Sequence, residues 1–223
     1  MNVTPGQQEL LEKHLSLVID ANTRTNITRI DTWDQGWLLH VEDSLVGLPE
    51  VQEAPAGKLA DLGSGAGYPG IPLAITTDRD VTLVESVGKK ASLLSAFADE
   101  LSLSDRVTVF SGRAEELARE FPEAFSVITA RALSSLPSLM ELASPLLQQG
   151  GRLVCYKSSD IEDELATAMV LQEKLAMVFK SRRYAVLSDG STPRSIVVFE
   201  KLGEPTVKLP RREGQAQRKP YKK

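Results

Sequence analysis

The sequence predicts an α/β fold in which a mostly parallel sheet is covered by helices on both faces and preceded by a helical extension. Three observations carry this. Short, continuously apolar runs alternate with helical patterns between residues 58 and 157, the order that buries parallel strands on both faces. A glycine-rich stretch, LGSGAGYPG, follows the first of those runs directly, where a strand would turn into a helix. The first 50 residues carry two helical patterns before the first strand-like run.

The elements follow in order. Residues 4–20 read as a helix, with Thr4 as N-cap, Pro5 at the first helical position, and Leu11, Leu15 and Val18 along one face. A second helix is expected over residues 32–48. Strand and helix then alternate: KLADL, helix 70–76, VTLVE, helix 89–101, VTVFS, helix 114–120, FSVITA, helix 136–148, GRLVCYK. A helix over 161–179 and an antiparallel pair, RRYAVLS and RSIVVFE, complete the pattern. The chain thus divides into a helical extension (1–50), one α/β domain (51–202) and a basic tail (203–223). With 223 residues, 42% of them hydrophobic, it is long enough to bury one full core.

Composition narrows the function classes. No run approaches the length of an apolar membrane span, and the amino terminus lacks the basic-then-apolar order of a signal peptide, so a cytoplasmic protein away from membranes is expected. The single cysteine, Cys155, sits in the apolar run RLVCYK and reads as a buried strand residue rather than a nucleophile. His14 and His40 lack metal-ligand spacing, and no metal is expected. The net charge of −4 hides an asymmetry: residues 201–223 hold eight Lys or Arg against Glu204 and Glu213, a balance of +6 that leaves −10 on the rest. A basic tail on an acidic body fits either a nucleic-acid partner or a solvated terminus.

In open α/β sheets ligands bind beyond the carboxyl ends of the strands. Here the runs end at Asp61, Glu85, Arg113, Arg131 and Lys157, two acids followed by three bases, which reads as a polar cleft. The loop itself satisfies G-x-G-x-x-G through Gly65, Gly67 and Gly70, with Glu85 twenty residues on, as a dinucleotide site would. Asp61 argues for a different ligand, because a second negative charge would repel a pyrophosphate but suits an ammonium group. S-adenosylmethionine has an amino acid end, a ribose diol and an adenine, and no phosphate. Asp61 would face its amino group, directly or through water, and Glu85 would accept hydrogen bonds from both ribose hydroxyls.

Six motifs occur in one order: NTRTNIT, HVEDS, DLGSGAGYPGIPLAI, ESVGKKASLL, GRAEEL and ARAL. With RSIVVFEK and LPRREGQAQRKPYKK near the end, they resemble the bacterial 16S ribosomal RNA guanine-N7 methyltransferase G family (RsmG, or GidB) over roughly residues 20–215. The most specific element is the prolines on both sides of Gly70-Ile71. The resemblance implies a class I, Rossmann-like S-adenosylmethionine-dependent methyltransferase acting on 16S rRNA, as naked RNA or within the 30S particle, with a monomer favoured. It implies a cofactor loop of Gly63, Gly65 and Gly67, a ribose contact at Glu85, and an adenine edge at Ala114 and Glu115. Arg131 would sit where methyl donor and guanine meet, and Arg194 matches the arginine before the last strand. Two departures stand out: Ser158 follows Lys157 where the family has glycine, and the chain ends KPYKK rather than in proline-leucine.

The chemistry of that target is compatible with the residues. Guanine N7 carries an in-plane lone pair at neutral pH, so no base is needed. The fourth strand exits into TARALSSLP, without the Asn/Asp-Pro-Pro-aromatic run of exocyclic-amine methyltransferases. Catalysis would rest on alignment, and Arg131 is the first candidate to donate to guanine O6. Lys157, Lys89 and Lys90 are candidate RNA contacts, extended by Arg24 and Arg29, although Lys89 and Lys90 equally fit a solvated helix face. His40, Asp43 and Ser44 share a helical face that either covers the cleft or packs and caps. Trp33 and Trp37 are expected in the core rather than as an RNA stacking platform. Two alternatives stay open: an NAD-dependent oxidoreductase, and an RNA-binding module of this fold that lacks transfer activity.

Overall fold

The computed structural model describes residues 3–222; Lys223, one of the basic tail residues, lies outside them. The first helix, α1 (Pro5–Arg24), opens with a capping box in which Gln7 N–H donates to Thr4 Oγ1 (3.3 Å) and Thr4 N–H donates to Gln7 Oε1 (2.9 Å). It runs a turn beyond the expected end at Asp20, and Ala21 in that turn is buried. Leu11, Leu15 and Val18 are fully buried, each contributing about 1.5–3 kcal/mol before entropy, so α1 belongs to the main core.

The single helix expected over 32–48 is instead broken into α2 (Trp33–Gly36), a π-helical turn (Trp37–Glu42), α3 (Asp43–Leu45) and α4 (Leu48–Gln52). Gly36 allows the close crossing with α1, since a Cβ there would lie 2.6 Å from Leu15 Cδ1. Pro49, near the amino end of α4, starts a fresh helix because its missing N–H costs nothing there. The wide turn places an extra residue in the helix just before Asp43, a device often found at functional sites.

The sheet comprises β1 (Leu59–Leu62), β2 (Val81–Glu85), β3 (Val107–Ser111), β4 (Phe125–Arg131), β5 (Leu147–Lys157), β6 (Met177–Val186) and β7 (Pro193–Lys201), in the order β3-β2-β1-β4-β5-β7-β6. Strands β1 to β5 run parallel, and β7 is antiparallel to both β5 and β6. The crossovers are α5 (Gly70–Thr76), α6 (Gly88–Glu100), α7 (Ala114–Glu120) and α8 (Leu136–Ala143), with α9 (Glu162–Met169) and α10 (Gln172–Leu175) before β6. One face of the sheet is covered by α1, α5 and α6 through Leu15, Ile71 and Leu94; the other by α7 and α8 through Leu117 and Leu139, in one cluster with Phe199 of β7.

Two expected helices end early. The helix over 136–148 stops at Ala143, because Pro145 cannot donate to a helical carbonyl, and β5 begins at Leu147. The helix over 161–179 is broken at Val170–Leu171 into α9 and α10 and stops at Leu175, with Ala176 left-handed (φ +53°), and β6 starts at Met177 opposite Lys201. The run AMVF fits either period, and pairing with β7 decides it.

The tail packs on the body. Arg211 forms a forked pair with Glu141 of α8 (Nε to Oε1, 2.6 Å), Ser138 Oγ donates to Ala216 O (2.8 Å), and a short helix, α11 (Gln215–Arg218), follows Gly214. Among the described residues no helix is long and apolar enough to cross a membrane.

Candidate active site

The strand order reverses between β1 and β4, and the glycine loop lies at that switch. Gly63, Gly65 and Gly67 all adopt left-handed φ (+72°, +58° and +95°). A Cβ on Gly67 would fall 2.6 Å from Ile71 Cδ1 and 3.0 Å from His14 Nε2, whereas Gly65 faces open space, its nearest neighbour being Gly63 O at 3.9 Å. The backbone at Gly65 is therefore where a ligand can approach closely.

Glu85, expected to meet the ribose, lies at the end of β2 and accepts from Gly65 N–H (3.0 Å, Oε2) and from Val87 N–H (2.8 Å, Oε1), so its carboxylate borders the loop. Asp61 departs from expectation. It is fully buried, with Oδ2 accepting from Gly70 N–H (3.1 Å) and Oδ1 from Thr129 Oγ1 (2.8 Å). Burial raises its pKa against those hydrogen bonds. Asp61 thus ties the loop and α5 to β4 rather than presenting a free oxygen to an amino group.

Beyond β2 and β3 a narrow pocket of about 60 Å³ is lined by Gly63, Gly112, Ala114, Glu115, Leu133 and Gln217. Ala114, expected at the adenine edge, is thus part of a pocket wall. Glu115 lines the pocket too, but its Oε1 accepts from Gly214 N–H of the tail (2.7 Å).

A wider cleft, about 500 Å³, opens at the ends of β4 and β5 and brings Leu39, His40, Asp43, Arg131, Lys157 and Arg194 together. Asp43 is its hub: Oδ1 accepts from Arg194 Nε (2.6 Å), and Oδ2 from Arg131 Nη1 (2.9 Å) and Arg194 Nη2 (3.2 Å). Arg131 Nη1 also donates to Leu39 O (2.8 Å), so Arg131 is a braced rather than a free cation. Its Nη2 makes only a long contact with His40 Nδ1 (3.4 Å) and stays available at the cleft. Lys157 donates to Ser134 O (3.1 Å) and pairs with Glu164 (2.6 Å).

Behind the cleft Tyr68 lies against the rings of His40 and His14, each centroid 4.5 Å away. His14 Nε2 meets Ala66 O (3.1 Å) and His40 Nε2 meets Thr28 Oγ1 (2.9 Å). Burial pushes the pKa of His14 down to about 3; burial, then the Arg131 charge, pushes His40 down to about 4. The unfolded chain would take up these protons near pH 6.5, so the folded state binds fewer of them. Stability is therefore full above that pH and falls as pH drops toward 4 and then 3, by about 1.4 kcal/mol per pH unit for each histidine. Asp61, whose raised pKa makes it protonate more readily when folded, offsets part of the loss toward pH 4. Urea unfolding between pH 7 and pH 5 should show the decline, and His14→Gln should flatten it; an equal slope in the variant would remove His14 from the account.

Other expected contacts lie apart. Lys89 is exposed and Lys90 half-buried at the start of α6, Arg24 pairs with Asp20 at the surface, and Arg29 is exposed. Trp33, expected in the core, is 43% exposed because α2 is a single turn at the surface; Trp37 is partly buried against the core. Cys155 is fully buried, and burial raises its thiol pKa, as a strand residue requires. Tyr68, Thr129 and Gln217 were not singled out by the sequence reading. Tyr68 alone had a local signal, its place inside the glycine loop.

The strand order and the glycine loop at the end of β1 define the fold of the class I methyltransferases. Similar solved structures include an O-methyltransferase from Bacillus cereus in complex with S-adenosylhomocysteine (TM-score 0.59, 20% identity, 85% of this chain and 91% of that one). Another is geranyl diphosphate C-methyltransferase from Streptomyces coelicolor A3(2) (TM-score 0.56, 15% identity, 71% and 77%). The chain belongs to the GidB family, rRNA small subunit methyltransferase G, whose model matches residues 7–191. Ribosomal RNA small subunit methyltransferase G of Streptococcus sanguinis strain SK36 is 34% identical over 227 residues, 99% of this chain and 94% of the relative. That of Lactobacillus delbrueckii subsp. bulgaricus strain ATCC BAA-365 is 33% identical over 224 residues, 98% and 93%. This family membership closes the oxidoreductase alternative.

Proposed function

We propose that this chain transfers a methyl group from S-adenosylmethionine to N7 of a guanine in the 16S rRNA of the small ribosomal subunit, in the cytoplasm. The observation that carries this reading is the polarity of the cleft. Asp43 is consumed by two arginines, and His40 is neutral, turning Nδ1 toward Arg131 and Nε2 toward Thr28. The carboxylate is thereby engaged and the neutral ring turns Nδ1 toward a guanidinium 3.4 Å away, so the cleft offers hydrogen-bond donors rather than a base. Such a site suits a nucleophile whose lone pair is already free, and guanine N7 is one.

The residues that would hold the methyl donor fit it. S-adenosylmethionine supplies an electrophilic methyl group on a sulfonium. Gly63, Gly65 and Gly67 would let the main chain lie against it, Glu85 would accept from the ribose hydroxyls, and Ala114 with Glu115 would flank the adenine. Asp61 would position the loop. Arg131 would donate from Nη2 to guanine O6, held in place by Asp43 and Leu39 O. Arg194 and Lys157 would contact the RNA around the target base, and Lys89 and Lys90, apart from the cleft at the start of α6, would contact RNA farther out.

Labelled cofactor incubated with 30S particles, or with 16S rRNA, from cells lacking the gene tests the reading. Label should appear at N7 of guanine, located by strand scission specific to that modification. Arg131→Ala should slow transfer at least about tenfold, or 1.4 kcal/mol. Label on another atom, or undiminished transfer by the variant, would overturn the assignment.

A further inference from the structure

We propose that the C-terminal segment completes the adenine pocket, with Gln217 reading the edge of the base and Glu115 acting as the clasp that sets its position. The proposal rests on the cofactor reading above. Gln217, on α11, lines the same narrow pocket as Gly63, Gly112 and Ala114, which come from the sheet end. The walls contributed by Val84, Leu133 and Leu142 are apolar and suit a flat heteroaromatic ring. A side-chain amide carries a donor and an acceptor side by side, the complement of an adenine edge.

The segment is held there by three contacts far apart along the chain. Glu115 Oε1 takes the Gly214 N–H at 2.7 Å, the forked pair joins Arg211 to the buried Glu141, and Ser138 Oγ donates to Ala216 O. Glu115 is buried with its carboxylate committed to the tail, so its part in cofactor binding is positional.

Calorimetric titration of the full chain with S-adenosylhomocysteine and with S-inosylhomocysteine, in which a carbonyl replaces the adenine amino group, tests this. Wild type should bind the adenosyl ligand more tightly than the inosyl one. Gln217→Ala should weaken the adenosyl ligand about threefold to tenfold and reduce the ratio between the two. Glu115→Ala should do the same, while Glu115→Gln, which keeps an acceptor for Gly214, restores binding. A merely structural tail would lower the melting temperature without moving the ratio. Gln217 is exposed, so its variant decides the matter even if Glu115→Ala fails to fold. An unchanged ratio and affinity in Gln217→Ala overturns the proposal. Wild type that binds neither ligand overturns the cofactor reading, and the proposal with it.

Discussion

Asp43→Ala is expected to destabilise the fold by about 3 kcal/mol, the scale for removing one member of a buried ion pair. The loss exceeds that of a surface bridge because one carboxylate neutralises two guanidinium groups. Arg194 Nε lies 2.6 Å from Oδ1 and Arg131 Nη1 2.9 Å from Oδ2, and the side chains of Arg131, Arg194 and Asp43 are only 14%, 20% and 5% exposed. Without the carboxylate, two cations share a cleft with little water to screen them. Urea unfolding at pH 7 measures the cost. The double variant Asp43→Ala/Arg194→Ala should lose less than the two single losses added together, since one stranded charge leaves with its partner. A single-variant loss below about 1 kcal/mol, the level of an exposed pair, would mean that the cleft is wet and the clamp weak.

Glu85→Ala should weaken S-adenosylhomocysteine by about 1.5–3 kcal/mol, the worth of hydrogen bonds to a charged acceptor. Glu85 is 7% exposed and already orients the loop through Gly65 N–H and Val87 N–H, so the substitution would remove the proposed ribose contact and loosen the backbone beside it. Glu85→Gln keeps an acceptor oxygen without the charge and should fall between wild type and alanine. Calorimetry with S-adenosylhomocysteine reads this without turnover. Unchanged affinity in the alanine variant would place the ribose elsewhere.

Asp43 and Glu85 differ in how far the sequence reveals them. Glu85 ends an apolar run at a set distance from a glycine loop, and such spacing is local, so its place at the sheet edge could be read directly. Asp43 could be grouped with His40 and Ser44 on one helical face, yet nothing local chose between covering the cleft and packing. Its partners lie 88 and 151 residues away.

The sequence by itself determined the alternation of strands and helices, the glycine turn, the charged strand exits and the burial of Cys155, because side-chain periodicity and turn chemistry act over a few residues. Only the tertiary structure decided that Asp61 turns inward to Gly70 and Thr129, that a π turn aims Asp43 at two arginines, and that β6 begins at Met177. The same holds for the tail: its charge was plain in the sequence and suited a polyanion, but Arg211 is spent on Glu141, and Gly214 on Glu115 99 residues away. Long-range pairs of this kind form only when folding has brought the two strand ends or helix faces together. Each polar group then takes whichever partner lets it stay buried and satisfied.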